Sequence, residues 1–400
     1  MPNKTPENTT DTITRSVVMQ ILPALENGGV ERGTIDIAKA LLKTDIEPIV
    51  LSKGGVLTYQ LKEAGVRHIT LDVSTKNPFK IYFNINKIAK IITENNVNIV
   101  HVRSRAPMWS AYFACKKTKT KLVATIHGPY SLNLLTKKPS YLKKLYNSIM
   151  LKADQVITVS NFMKNFLCEN YLQNAKVAPE DIKVIHRGAD MNYFDGRNMS
   201  KNRIIDMNKK WNLPDDKKII LMPARFTSWK GHEFLIDALS RVRSDNFLCI
   251  MVGSDHGHKV FRKKIEEKIT KLNLEGKVKM VGICKDMPTA YAIANLVVCP
   301  SVRPEAFGRI PIEAQASNRI IIATKIGGAL ETVIDGKTGY LVDLNDANGF
   351  AELIDNALDM PEDKVSEMGA AGRKNVEEHF SNDKMCHDTI EIYSKMINAS

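Results

Sequence analysis

The sequence predicts an α/β protein built from two parallel-sheet domains. Short apolar, β-branched runs alternate with helical patterns along nearly the whole chain, as in sheets that carry helices on both faces. At 400 residues the chain is long enough for about two domains of ordinary size. Glycines and charged residues directly follow several of the apolar runs, where open parallel sheets bind their ligands.

Two series of strands account for the apolar runs. The first has candidates at 16–22, 46–51, 68–71, 99–102, 121–126, 155–159 and 183–185, and the second at 219–223, 247–252, 278–281, 295–300 and 320–324. A polar stretch lies between them and predicts a connector with a short helix. We therefore place one domain at 1–192, the connector at 193–216 and the other domain at 217–382. The last helix, 383–400, has no strand after it and can pack on either domain, including back on the first.

Composition argues against a membrane-spanning or secreted protein. Hydrophobic residues make up 44% and charged residues 25% of the chain, and no apolar run approaches the length of a bilayer span. The polar start of the chain is unlike a secretory signal. Six cysteines are scattered without C-x-x-C spacing, which is typical of reduced thiols and suggests no zinc site. We expect a cytoplasmic protein.

The net charge of +13 is unevenly distributed. No acidic residue occurs between Glu94 and Asp154, whereas the interval holds eleven Lys or Arg residues. Within it an apolar stripe at helical spacing flanks Lys143 and Lys144, as in a helix on an anionic bilayer; its members are Tyr141, Leu142, Leu145, Tyr146, Ile149 and Met150. Core packing explains the same stripe, but the long acid-free interval favours membrane contact. No nucleic-acid module appears, so we expect no nucleic-acid partner.

The segment from Arg303 to Glu313 carries two carboxylates eight positions apart around a loop and a helix start. It follows an apolar strand, and we expect a helix to begin at Pro311, where the missing N–H of proline is harmless. Backbone N–H groups of the loop can then face an anion at the positive end of the helix, with Gly308 allowing close approach. Glu305 can accept hydrogen bonds from sugar hydroxyls, and Glu313 can hold a pair of vicinal hydroxyls. Two solvated helix charges are the alternative interpretation.

Three groups of residues follow strands of the first domain. Gly28 and Gly29 form a turn into a helix that can approach a phosphate, although the dinucleotide-binding G-x-G-x-x-G spacing is missing. Arg103 and Arg105 follow the fourth strand and are candidates for acceptor binding. His127 follows the fifth strand beside a glycine, where its imidazole can reach a reacting centre, although a lone histidine is often structural.

The second domain begins with a strand followed by Arg225, Lys230 and Gly231. A guanidinium and an ammonium group five positions apart at a helix entrance are suited to neutralising a diphosphate leaving group. Two surface cations would be the alternative, but the position after a strand and the adjacent glycine favour an anion site.

With these motifs in place, the chain resembles the retaining family 4 glycosyltransferases of the GT-B fold over nearly its whole length. The resemblance rests on Gly28-Gly29, on the Arg225-to-Lys230 loop and above all on the Glu305-x7-Glu313 element. The segments 154–160, 327–331 and 336–342 are similar to the family as well. The N-terminal half looks most like bacterial transferases of lipopolysaccharide core assembly, often mannosyltransferases.

The resemblance implies two Rossmann-like domains facing across a cleft. The N-terminal domain would bind the acceptor and the C-terminal domain a UDP- or GDP-sugar. Arg225 and Lys230 would stabilise the departing diphosphate, and His127 would touch the sugar or reacting centre. Glu305, with the backbone of Ala306, Phe307 and Gly308, would orient the sugar. Glu313 would bind the ribose. The base would lie near Ile283, where the sequence does not distinguish uracil from guanine. Arg187 departs from an asparagine that is frequent in the family, which leaves its role open.

The expected reaction is hexosyl transfer with retention of anomeric configuration, to a glycolipid acceptor at the inner face of the cytoplasmic membrane. No two aspartates lie two positions apart, so the Asp-x-Asp metal site of other transferases is missing, and we expect neither a metal nor another cofactor. Two alternatives share the architecture. A nucleotide-sugar 2-epimerase would act without an acceptor, and an inactive carbohydrate-binding protein would bind without turnover.

Overall fold

Two sheets organise the chain in the computed structural model, which describes residues 15–26, 28–75, 77–128, 146–172, 177–255, 257 and 259–399. The first sheet has seven strands in the order β3-β2-β1-β4-β5-β6-β7, and the second has six in the order β10-β9-β8-β11-β12-β13. Both contain the doubly wound order of nucleotide-binding sheets, in which the chain switches direction beside the first strand.

The first sheet contains β1 (Ser16–Ile21), β2 (Ile46–Ser52), β3 (Arg67–Thr70), β4 (Val97–Val102), β5 (Lys121–Ile126), β6 (Gln155–Thr158) and β7 (Ile182–Val184). The second contains β8 (Lys218–Pro223), β9 (Phe247–Val252), β10 (Val278–Val281), β11 (Leu296–Cys299), β12 (Ile320–Thr324) and β13 (Tyr340–Val342). The central strands β1 and β8 pair in parallel with a neighbour on each side. Their apolar runs are buried, as expected for strands covered on both faces.

Helices follow most of the strands. They are α1 (Gly29–Leu41), α2 (Thr58–Glu63), α3 (Pro78–Glu94), α4 (Arg105–Thr118), α5 (Asn161–Tyr171), α6 (Lys201–Trp211), α7 (His232–Leu239), α8 (Lys259–Lys271), α9 (Met287–Ile293), α10 (Arg309–Ala316), α11 (Ala329–Thr332), α12 (Ala347–Leu358), α13 (Glu362–His379) and α14 (Asn382–Asn398). α6 is the predicted helix of the connector.

All twelve predicted strands are confirmed within two residues at either end. The sequence prediction missed β13, which is only three residues long and too short to show a period. Pro311 is the third residue of α10 rather than the first, because Gly308 at a φ of 77° starts the helix two residues earlier. The missing N–H of Pro311 still falls in the first turn, where no intrahelical bond is lost.

By contacts the chain divides into two compact units. Among the described residues, one unit comprises those within 1–125, 145–156 and 389–400, and the other comprises those within 126–144 and 157–388. The end of α14 belongs to the first unit, where buried His101 bonds the Tyr393 hydroxyl and Lys121 Nζ donates to the Met396 carbonyl at 2.6 Å. The domain boundaries drawn from sequence remain a prediction.

Two sequence expectations concern membranes. No helix within the described residues is both long enough and apolar enough to cross a bilayer. In the proposed amphipathic stripe, Tyr141, Leu142 and Leu145 lie outside the described residues. Ile149 and Met150 are each only 1% exposed and pack in the interior, so these two side chains do not form part of a lipid-facing surface.

Candidate active site

The candidate site lies at the switch point of the second sheet. There β8 and β11 are adjacent parallel strands, and the chain continues from β8 to β9 on one side and from β11 to β12 on the other. Gly231 allows the two following loops to approach each other. It has a φ of 78°, and a Cβ atom there would collide with the Pro300 carbonyl oxygen. The loops are also joined by a hydrogen bond from Val302 N to the Trp229 carbonyl at 2.9 Å. This brings Lys230 beside the loop that carries Glu305.

Lys230 and Glu305 form an ion pair, with Lys230 Nζ 2.7 Å from Glu305 Oε1. The lysine is buried and its ammonium also lies 4.4 Å from the centre of the Trp229 ring, a cation–π distance. Ser301 Oγ donates to the same carboxylate oxygen at 2.6 Å. The contacts of the carboxylate with Lys230 and Ser301 therefore converge on Oε1. Oε2 is the oxygen on the other side of the group.

The loop from Glu305 to Gly308 is held from two directions. Gly327 and Gly328 pass directly behind it, since a Cβ at either position would collide with loop backbone, and Gly328 N donates to the Glu305 carbonyl at 2.9 Å. On the other side, Ser160 Oγ donates to the Ala306 carbonyl. Phe307 is buried, with its ring 5.7 Å from that of His186 and 5.9 Å from that of Phe380. The backbone beside the carboxylate is thus fixed before any ligand binds.

Glu313 projects from α10, two turns beyond Glu305, and is held at both oxygens. Arg309 lies 2.9 Å from Oε1, and the Tyr291 hydroxyl donates to Oε2 at 2.9 Å. Burial, with the adjacent carboxylate, raises the pKa of Tyr291 well above its ordinary value, so the phenol stays protonated and donates. A carboxylate has about four acceptor positions, so Glu313 can still accept two hydroxyls.

Glu331, in the short helix α11, is the most heavily bonded carboxylate of the region. It accepts from Asn161 N at 2.9 Å, from the Asn161 amide at 3.0 Å and from Phe162 N at 2.8 Å, and it lies 2.9 Å from His186 Nε2. Burial by itself would raise the pKa of Glu331, but these hydrogen bonds outweigh it and lower the pKa. The carboxylate thereby fixes the start of α5 and also His186, the ring that supports Phe307.

The predicted residues of the first unit occupy a different setting. Gly28 is the N-cap of α1 in extended conformation and Gly29 is its first residue, as the predicted glycine turn requires. Arg103 is 3% exposed, and its Nε donates to buried Gln20 at 2.8 Å, so this guanidinium lies inside the protein. Arg105 is half-buried and donates to Asn147 at 2.7 Å. Of the two arginines, Arg105 has the more accessible side chain.

The remaining predicted residues lie at strand ends. His127 directly follows β5 and is partly exposed. Arg225 is exposed in the loop after β8, with its guanidinium carbon 6.0 Å from the centre of the Trp229 ring. Ile283, beyond the end of β10, is 69% exposed, an unusual position for a large apolar side chain. Arg187 is buried, and its neighbour Gly188 packs against the backbone of Asn382.

Four residues that contact the site were given no role from the sequence: Ser301, Tyr291, Glu331 and His186. Ser301 lies two residues after the end of β11, and its place near a strand end could have marked it. The segments containing Glu331 and His186 were recognised, but only the folded chain brings the two side chains together. Nothing in the sequence near Tyr291 connects it with Glu313, because a buried tyrosine on a helix is ordinary core composition.

The comparisons with known proteins agree with this fold. Residues 27–193 match the family described as Glycosyltransferase Family 4, and residues 204–375 match Glycosyl transferases group 1. A solved glycosyltransferase from Rickettsia africae ESF-5 is 41% identical, with a TM-score of 0.88 over 97% of this chain and 100% of that one. HepE from Anabaena, solved in complex with UDP-glucose, has a TM-score of 0.80 at 22% identity, over 95% of this chain and 99% of HepE.

A curated relative of known activity also matches. N-acetyl-alpha-D-glucosaminyl L-malate synthase of Bacillus anthracis is 25% identical over 313 residues, which is 77% of each chain. The fold and the site thus define a glycosyltransferase of the GT-B class. The protein belongs to glycosyltransferase family 4, as the resemblance in its motifs implied.

Proposed function

We propose that the protein is a retaining, metal-independent hexosyltransferase that uses a nucleotide-diphosphate sugar and a membrane-associated glycolipid acceptor. Its product would be lipopolysaccharide core or another cell-envelope glycan, made at the inner face of the cytoplasmic membrane. The observation that carries the proposal is the pairing of Lys230 with Glu305 at the switch point of the second sheet. One hydrogen bond joins a buried cation to the carboxylate that we propose binds the sugar.

The pair suits a donor whose sugar is attached to a diphosphate. An ammonium group has three donors, so Lys230 can keep Glu305 and still donate to a phosphate oxygen. As the bond to the sugar breaks, negative charge grows on the diphosphate, and a cation already in position stabilises that charge without reorganisation. Exposed Arg225 would add a second cation. Glu305 Oε2 would accept hydroxyls of the donor sugar, because Lys230 and Ser301 bond the other oxygen.

The nucleoside half of the donor would extend toward Glu313 and Ile283. Glu313, fixed by Tyr291 and Arg309, would accept both ribose hydroxyls. Exposed Ile283 would offer an apolar surface to one face of the base. The complex of HepE with UDP-glucose supports a nucleotide-sugar donor. UDP and GDP are both candidates, because the sequence around Ile283 does not distinguish uracil from guanine.

The acceptor is proposed from charge. The acid-free interval from Glu94 to Asp154 favours an anionic acceptor carried by a membrane. The relative from B. anthracis is named for a small anionic product, a malate glycoside, and a water-soluble acid is therefore the competing acceptor class. His127 and Arg105 would contact the acceptor or the reacting centre, and the Gly28-Gly29 turn would approach the donor by its backbone.

A thermal-shift screen of UDP, GDP and their hexose derivatives tests the donor site, because a ligand of the folded state raises the unfolding temperature by mass action. We expect one nucleotide series to stabilise the wild type and to have far less effect on Lys230→Ala. Equal stabilisation of both proteins by every compound would contradict the proposed site.

Product analysis with the preferred donor then tests the reaction. A sugar transferred to lipid with its anomeric configuration kept, in the presence of EDTA, supports the proposal. Conversion of the donor without any acceptor would instead identify an epimerase. Transfer to malate-like acids alone would replace the lipid acceptor, and tight donor binding without turnover would identify a carbohydrate-binding protein.

A further inference from the structure

An exposed aromatic surface on the first unit has no role in the proposed donor site. Three neighbouring side chains of α3 are largely in solvent: Phe79 is 76% exposed, Tyr82 65% and Phe83 62%. Phe113 on α4 is 43% exposed as well. Contiguous exposed apolar surface on a soluble protein commonly marks a site of interaction. We call these four residues, with Lys80, Lys87, Lys116 and Lys117, the α3–α4 face.

The sequence of α3 fixes which way the aromatic rings point. Asn77 caps the helix, its side chain accepting from Phe79 N at 2.9 Å, and Pro78 occupies the first position. Positions 79, 82 and 83 then fall on one side, at spacings of three and four residues. The opposite side is buried through Ile88, Ala89 and Ile92, among others. The helix is therefore anchored in the fold by one stripe and presents the aromatic stripe outward.

The two helices of the face are joined to each other. Ser110 Oγ donates to the Ile81 carbonyl at 3.3 Å, and Lys117 Nζ donates to Asn86 at 3.0 Å. The Lys116 ammonium lies 5.1 Å from the centre of the Tyr112 ring, next to Phe113. Aromatic and cationic groups are therefore both exposed on two helices that are hydrogen-bonded to each other.

Charge identifies the occupant. Between Asp72 and Asp154 the chain has one acidic residue, Glu94, and it already pairs with Lys90 at 3.6 Å. A second copy of this chain would bring an equally basic face against the first, which like charges oppose. An anionic bilayer offers negative headgroups to lysine and an interface in which aromatic rings are favourable.

We propose that the α3–α4 face docks on the headgroup region of an anionic lipid bilayer. The inference deepens the proposed function, because it rests on an acceptor carried by a membrane. It also moves the contact predicted from the sequence, since Ile149 and Met150 are buried whereas the rings of α3 are exposed.

Flotation with vesicles tests the docking. We expect the wild type to float with phosphatidylcholine vesicles containing about 30% phosphatidylglycerol, much less with phosphatidylcholine alone, and less as salt rises from about 0.05 M to about 0.5 M. The variant Phe79→Ser/Tyr82→Ser/Phe83→Ser should lose at least about tenfold in partition coefficient, because its apolar contact is removed. Lys80→Gln/Lys87→Gln should lose about fivefold for each lysine.

Matched variants control for general effects. Val56→Ser/Tyr59→Ser removes apolar side chains that are 59% and 55% exposed on the same unit, outside the face. Lys263→Gln/Lys374→Gln removes two positive charges, as Lys80→Gln/Lys87→Gln does, but from α8 and α13, outside the face. Both should float like the wild type. Because all these positions are exposed, unchanged unfolding temperatures should accompany every substitution.

Two results would overturn the docking proposal: absence of the wild type from anionic vesicles, or flotation of the triple aromatic variant equal to the wild type. Sedimentation velocity would show whether the face instead joins two copies of the chain. A concentration-dependent dimer that the triple aromatic variant abolishes would also reject docking on a bilayer. Stabilisation by UDP or GDP without flotation rejects the docking alone, whereas flotation without any nucleotide response rejects the proposed donor site alone.

Discussion

The switch points of the two sheets have the same strand order, but the side chains that occupy them differ in burial and in pairing. Between β1 and β4, Arg103 donates to Gln20, and the Gln20 amide donates in turn to the Thr34 carbonyl at 3.0 Å, all of it buried. Between β8 and β11, Lys230 meets Glu305 at the edge of a small cavity that Ser301 and Gly308 also line. One switch point buries its polar side chains against one another, and the other keeps a charged pair beside open space. The shared strand order offers both edges to a ligand, and we propose that the side chains decide which edge binds one.

The strongest test of this difference is Lys230→Ala. We expect kcat/KM to fall by about two to three orders of magnitude, because a preorganised cation for the leaving group is lost. Steady-state kinetics with the preferred donor would measure it. Lys337→Ala, an exposed lysine of the same unit, is the matched control and should leave the rate unchanged. Activity of Lys230→Ala within a few-fold of wild type would remove the lysine from the catalytic machinery.

The two units also differ in the surroundings of their buried histidines. In the first unit, buried His101 bonds Tyr393 and Thr125, whereas in the second, buried His232 stacks on Phe226 with ring centres 4.8 Å apart. Burial, with nearby Lys230 adding to it, lowers the pKa of His232 to about 4. The unfolded chain, with a pKa of about 6.5, therefore binds this proton more readily.

Stability from neutral His232 is then fully present above about pH 6.5 and is lost as the pH falls toward 4. We expect the free energy of unfolding to drop by about 3 kcal/mol over that range from this group. Denaturant unfolding at several pH values would measure it, with His232→Phe as the comparison. An equally steep loss in His232→Phe would assign the acid sensitivity to other groups.

Glu331→Gln tests the support behind the loop from Glu305 to Gly308. An amide cannot accept from all four donors that surround this carboxylate, so we expect a loss of about 2 kcal/mol in stability and a lower kcat with little change in KM. Thermal unfolding and kinetics would be measured together. Glu352→Gln, an exposed glutamate on α12, is the control. A variant with normal kcat would make Glu331 a purely structural residue.

Arg103→Met examines the closed switch point. The substitution leaves the buried Gln20 carbonyl oxygen without its guanidinium donor, which we expect to cost about 1 to 2 kcal/mol of stability. Affinity for the nucleotide should be unchanged. Calorimetric titration with UDP or GDP beside denaturant unfolding would separate the two effects. A large loss of nucleotide affinity at wild-type stability would reverse the comparison.

The smallest expected effect is that of Tyr291→Phe, which removes one hydrogen bond to Glu313. We expect nucleotide affinity to fall about fivefold, the worth of about 1 kcal/mol, because Glu313 is less firmly held. Titration with the nucleotide alone gives the measurement. Tyr340→Phe, on β13 and away from that carboxylate, serves as the control. Unaltered affinity in Tyr291→Phe would show that Arg309 is enough to hold the carboxylate.

The sequence by itself determined the fold and the family, and it predicted the principal residues of the proposed donor site. Strands buried on both faces must be apolar throughout, so their apolar runs could be recognised in the sequence. Because ligands bind at the carboxyl ends of parallel strands, the loops that follow β8 and β11 indicated Lys230 and Glu305 as candidates. Both sheets and the family were predicted in this way. β13 was missed because a three-residue strand has no readable period.

Only the tertiary structure decided which side chains pair. Lys230 and Glu305 are far apart in sequence, as are Tyr291 and Glu313 or Glu331 and His186, and no local pattern indicates such contacts. The structure likewise decided exposure, since helical spacing alone could not tell the buried Ile149 and Met150 from the exposed rings of α3. A periodic stripe gives a helix two faces, but which face meets solvent depends on the elements packed against it.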